Sequence, residues 1–97
     1  MPHFKVIFSG RGIDCAVGDD RAVGFFTTRL VKAPDLAKAE SVAKELVLAE
    51  WRPGGQYSTS NRGPVPILIV EESFPLGLLA GIFSRRRTGY SFYRHED

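Results

Sequence analysis

The sequence has one cysteine, one methionine and one tryptophan in 97 residues, and no acidic residue between Ser73 and Arg94. A single thiol, Cys15, excludes an intrachain disulfide and a structural zinc site built on cysteines, so the hydrophobic core alone must hold the fold. Long hydrophobic runs are missing too. The nearest to one, Phe74 to Phe83, is ten residues with one proline and two glycines, about half of the roughly 20 residues a membrane helix needs, and no membrane span is expected. The start, MPHFKVIFSGR, lacks the basic, apolar and small-residue regions of a signal peptide, which makes the cytoplasm the expected location. Repeats, low-complexity tracts and linkers are also lacking, and one domain over residues 1–97 is expected.

What is present is an ordinary globular composition, 43% hydrophobic and 25% charged, with an uneven charge layout. Up to Trp51 seven Lys or Arg offset seven Asp or Glu; beyond it there are six Arg, no Lys and four acids. The net charge of +2 therefore comes from the second half of the chain.

The period of the hydrophobic residues divides the chain into elements. His3 to Phe8 alternate, with Phe4, Val6 and Phe8 on one face and His3, Lys5 and Ile7 on the other, as a strand does. Residues 22–32, rich in β-branched and aromatic types, read as a second strand. The glycines and paired aspartates between them suggest an antiparallel hairpin. From Leu36 to Trp51 the period becomes helical, with Leu36, Ala39, Val42, Ala43, Leu46 and Val47 in one arc and Leu48 alone on the polar side. Asp35 can cap this helix, and Pro53 with Gly54 and Gly55 ends it. Residues 52–64 read as a long mobile loop, too polar and glycine-rich to pack. Residues 65–72 read as a strand buried on both faces, and 89–93 as a closing strand. The expected fold is α+β: ββαββ, a four-stranded mainly antiparallel sheet with one helix packed on one face, whose third strand runs parallel to the second.

This order resembles that of small α+β modules such as the HicB-like antitoxin fold, although that pattern has three strands before its helix, or half of a ferredoxin-like sandwich. Likeness of element order carries no function.

One helix of about 16 residues covers roughly half of one face of a sheet about 19 Å wide. Apolar residues nevertheless occupy both faces of every main strand. Either the segment 74–83 folds over the second face or a second copy covers it, and a homodimer is the expected form.

The most legible chemical cluster is Arg85, Arg86, Arg87, Tyr90, Tyr93 and Arg94. Guanidinium groups suit phosphates and exposed rings suit stacked bases, so RNA or DNA is a candidate partner; the plainer reading is an Arg-rich turn that keeps an edge strand soluble. Cys15 beside Asp14, with His3 and His95 elsewhere, guarantees no base within reach of the thiol. Glu71 and Glu72 are adjacent on a strand and point to opposite faces. The G-x-G of residues 10–12 is not followed by a helix, as a phosphate loop would require. Thr27, Thr28 and Arg29 read as the exposed half of a strand. Neither metal, cofactor nor catalysis is expected. The function these residues suggest is a small non-catalytic binding or interaction module acting as a homodimer, with nucleic-acid binding as the alternative.

Overall fold

The computed structural model describes residues 2–77 and 89–94. Two long strands, β1 (His3–Val17) and β2 (Asp20–Lys32), precede the helix α1 (Leu36–Trp51), which is followed by β3 (Ile67–Leu76) and β4 (Tyr90–Tyr93). The sheet order is β3-β1-β2-β4, and all neighbours are antiparallel. The ββαββ order read from the sequence is thus observed. The third strand does run in the direction of the second, with β1 lying between them.

The β1–β2 hairpin is far longer than the two alternating stretches suggest. Val17 pairs with Asp20, leaving Gly18 and Asp19 as a two-residue turn. Gly18 has φ 59° and no non-glycine residue among those described has positive φ, the pattern of a type II′ turn whose twist suits paired strands. Phe4, Val6, Phe8 and Gly10 are buried, whereas beyond Gly12 it is the odd residues Ile13 and Cys15 that are buried. Gly12, at φ 88°, is where the strand changes phase. That change lets an apolar set of opposite parity continue the same core.

Asp35 caps α1 by accepting a hydrogen bond from the Lys38 amide at 2.8 Å. Ala39, Ala43, Val47 and Trp51 form the buried stripe, one residue per turn, and the two alanines let the helix lie close to the sheet. Leu36 and Leu46, expected on this stripe, are exposed, and Leu48, expected to be exposed, is buried. Trp51 accounts for the difference. Turning its ring into the core rotates the helix so that Leu48 follows it inward and Leu46 swings outward.

The segment after the helix is anchored, contrary to its mobile reading. Its Tyr57 ring stacks on Trp51 at 4.7 Å, and on the other side Trp51 stacks on Phe25 of β2 at 5.2 Å with the planes 4° apart. The Tyr57 amide donates to the Glu50 carbonyl, the Ala16 amide to the Ser60 carbonyl and the Arg62 amide to the Asp14 carbonyl. Asn61 Oδ1 accepts from the Asp14 amide at 2.9 Å. Polar composition hid this because the partners are mostly backbone groups, which every residue carries.

β3 also departs from expectation. It begins and ends later than residues 65–72, pairing onward through Phe74 opposite Lys5 and Leu76 opposite His3. It is an edge strand rather than one buried on both faces, with Ile67 60% exposed. An edge position is also where Pro75 is tolerated within a strand. Between Ile7 and Phe8 the register shifts, and Glu71 is the additional residue of a β-bulge.

A Cβ on Gly10 would lie 2.2 Å from the Phe25 ring, and that ring is pinned by its stack on Trp51. Gly10→Ala is expected to lower unfolding free energy by about 1–3 kcal/mol through overpacking. Gly77→Ala, with none of the described residues within 4 Å of the added carbon, should leave it nearly unchanged. Urea denaturation followed by circular dichroism checks both.

Candidate functional site

Beneath the last turn of α1 the core becomes polar. Thr27 and Arg29, read from the sequence as exposed, are both buried. They share the strand parity of Phe25 and Val31, whose burial against the helix carries them inward. Arg29 Nη2 donates to Glu50 Oε1 at 2.6 Å and to the Tyr90 hydroxyl at 3.2 Å, while Nη1 donates to Thr27 Oγ1 at 2.7 Å and to the Thr28 carbonyl at 2.9 Å. The Tyr90 hydroxyl in turn donates to Glu50 Oε1. The Thr27 hydroxyl donates to the Gly89 carbonyl at 3.1 Å. Each hydroxyl thus accepts one bond from the guanidinium and donates one onward. The guanidinium also lies 5.2 Å from the Tyr90 ring centre, within cation–π range.

Electrostatics agree with this geometry. Burial, reinforced by the bond to Glu50, raises the Tyr90 hydroxyl well above the ordinary tyrosine value. Burial is also the main cause that raises Tyr57, with the Glu50 charge next. Both guanidinium Nη groups, both hydroxyls and Glu50 Oε1 serve other protein groups, so the cluster ties β2, α1 and β4 together. Among the described residues the Trp51 indole N–H, at the margin of the cluster, has no hydrogen-bond partner.

The side of the sheet facing away from the helix is different in kind. The pairing register places Lys5, Ile7, Ser9 and Arg11 of β1 alongside Leu30, Thr28 and Phe26 of β2 and Phe74, Ile69 and Ile67 of β3. Phe26 is 48% exposed and Tyr93 37%, with ring centres 5.7 Å apart. Ser9 donates to Glu71 at 2.6 Å. No element among the described residues covers this face.

The residues of the basic and aromatic cluster are dispersed. Arg85, Arg86 and Arg87 lie outside the described residues. Tyr90 is committed to Glu50 and Arg29 within the core. Tyr93 is on the open face, and Arg94 is 3.3 Å from Asp20 in an exposed ion pair at the hairpin end. Cys15 is buried and donates weakly to the Ala16 carbonyl at 3.7 Å. Burial raises its thiol above the ordinary value, disfavouring the thiolate a nucleophile needs. Asp14, beside it, is paired with Arg21 at 2.5 Å.

Clefts lined by described residues include two at the surface. One of about 370 Å³ sits between the hairpin end and Tyr93. The other, about 500 Å³, lies between Trp51, Pro53, Ser58, Asn61 and Pro64. The polar groups of the second are already employed: Ser58 Oγ donates to the Gly55 carbonyl, and Asn61 donates to Pro64 and accepts from Gly63. A ligand would find few convergent groups to orient it. Among the described residues no group of three His, Cys, Asp or Glu side chains comes together to hold a metal ion, and no helix is long and apolar enough to cross a membrane. Comparisons with protein-family models, curated proteins and solved structures find no match.

The buried network left a trace in the sequence. Glu50 is three residues after Val47 and seven after Ala43, on the apolar stripe of α1, and Arg29 is two residues from Val31. A charge on the buried face of each of two elements is the mark of an internal pair.

The Arg29 side chain is 10% exposed and that of Glu50 31%. Glu50→Ala would strand the guanidinium and is expected to destabilise the protein by about 3 kcal/mol, the low end for a broken buried pair because Glu50 is partly solvated. Arg29→Met combined with Glu50→Gln should recover most of that loss, which a double-mutant cycle measures. Because folding raises the Tyr90 pKa, the folded chain keeps a proton that the unfolded chain releases near pH 10. Its contribution is constant below that pH and stability falls above it, as unfolding midpoints between pH 8 and about 11 would show.

Proposed function

We propose that this protein is a non-catalytic interaction module that self-associates through the part of its sheet the helix leaves open. The observation that supports this reading is the placement of exposed apolar side chains. Of the nine large ones that are exposed among the described residues, Val65, Ile67, Ile69 and Val70 lie within six residues at the β3 edge, and Phe26 and Tyr93 lie on the face away from the helix. Scattered apolar residues are normal on a surface, whereas a contiguous group marks a contact site. A symmetric dimer is the commonest way to cover such a surface.

A second reading, nucleic-acid binding, draws on Phe26 and Tyr93, two neighbouring exposed rings on a sheet face, with Arg94 next to Tyr93 in sequence and Arg85, Arg86 and Arg87 in the preceding segment. Rings so placed suit stacking with unpaired bases. Tyr90 has no part in this version, since its hydroxyl is used internally.

Size-exclusion chromatography with light scattering is expected to give twice the 10.7 kDa chain mass at micromolar concentration; 10.7 kDa throughout would refute self-association. Fluorescence anisotropy with a labelled single-stranded oligonucleotide separates the second reading. Four phosphate contacts would make log K fall against log salt with a slope of about −3, and no binding at low salt would exclude it.

A further inference from the structure

We infer that two copies of the chain join edge to edge through β3, antiparallel about a twofold axis at Leu68, forming one eight-stranded sheet. This rests on the self-association reading and names its interface. β3 is an edge strand of ten residues, and such edges are usually blunted by charge, proline or a bulge. In β3 all three devices fall from the fifth residue onward: the bulge at Glu71, the charges of Glu71 and Glu72, and Pro75. The first four residues, Ile67 to Val70, have none, and three of them, Ile67, Ile69 and Val70, are exposed apolar residues. Among the described residues one part of this edge is thus protected and the other left open.

Symmetry then restricts the register. A twofold axis perpendicular to the sheet keeps each face on its own side, and directly opposed residues of an antiparallel pair share a face. The axis must therefore pass through a residue position rather than between two. An axis at Ile69 sets Ile67 against Glu71 of the other copy, and one at Val70 sets Ile69 against Glu71. An axis at Ile67 draws the irregular residues 62–66 into every pair but the central one. An axis at Leu68 sets Leu68 against itself and Ile67 against Ile69 of the other copy, twice. It also carries Glu71 and Glu72 beyond the apolar stretch, opposite Val65 and Pro64. There Glu72 is diagonal to Arg62 of the other copy, about 7–8 Å away, a spacing long side chains can bridge. The residues before β3 still follow β1 at that level, since Asn61 is bridged to Cys15. Opposite charges thus flank an apolar centre on both sides.

Variants with introduced cysteines read the register, since native Cys15 is buried. Residues opposed across the axis come within disulfide range, whereas residues offset by two positions lie beyond about 7 Å. Under mild oxidation Leu68→Cys should give a covalent dimer, and Ile67→Cys and Ile69→Cys should not. The double variant Ile67→Cys with Ile69→Cys should give one whose disulfides join 67 to 69, identified by mass spectrometry. Ile69 is 41% exposed, so Ile69→Lys should keep the circular dichroism spectrum while converting the dimer to monomer. A wild-type dimer that survives Ile69→Lys, or that forms neither the 68–68 nor the 67–69 disulfide, would overturn the edge pairing and leave self-association standing. A wild-type monomer at every concentration would overturn both.

Discussion

The stack of Phe25, Trp51 and Tyr57 is the contact on which the rest of the structure depends. It joins β2, the end of α1 and the segment after the helix at one point. With only one helix for four strands, the rotation of that helix decides what is covered, and the indole sets the rotation. Ala39 and Ala43 are then small enough to bring the helix down on the sheet. Phe8 and Phe25 are wholly buried beneath it. Gly10 leaves room for the Phe25 ring, so the absence of one side chain on β1 is part of how Trp51 is seated.

Next to this apolar joint lies its polar counterpart. Arg29 and Glu50 are each costly to bury alone and acceptable together, and the hydroxyls of Thr27 and Tyr90 use the donors and acceptors that remain. The arrangement attaches β4, only four residues long, through Tyr90 and through Thr27 to the Gly89 carbonyl. Phe92 adds apolar contacts by packing its ring edge against Phe25. The sheet acquires its fourth strand through side chains as much as through backbone pairing, and an unpaired hairpin alone would expose the β2 edge over the same residues. At the other edge the side-chain ties of the described residues lie further along the strand, Ser73 donating to Glu40 of α1 and Glu71 accepting from Ser9 of β1, so β3 and β4 are unlike as edges: β4 is tied into the core from its first residue, whereas Ile67, Ile69 and Val70 at the start of β3 are exposed.

Most of the fold was legible because it follows from periodicity: the alternation of Phe4, Val6 and Phe8, the helical spacing from Leu36, and the Asp35 cap. Burial was less legible. In Phe25-Phe26-Thr27-Thr28 two residues of each kind follow one another, so alternation alone does not say which face is the core, and Thr27 and Arg29 read as exposed. The run 67–70 is apolar at every position and is compatible with a central strand, and only the sheet order makes it an edge. The loop at 52–64 was misread because a backbone bond such as that from the Arg62 amide to the Asp14 carbonyl leaves no mark in residue type. The second half of the basic cluster was read by chemistry alone, and chemistry did not separate Tyr90, turned into the core, from Tyr93 on the open face.

Trp51 is the only tryptophan in the chain and sits between rings from two separate parts of it. Its intrinsic emission therefore reports a single joint rather than an average over the molecule. Loss of the loop from the helix, of β2 from the helix, or of both would each change the surroundings of the same indole. The protein carries, without labelling, an optical probe at the position where its helix, its sheet and the segment after the helix meet.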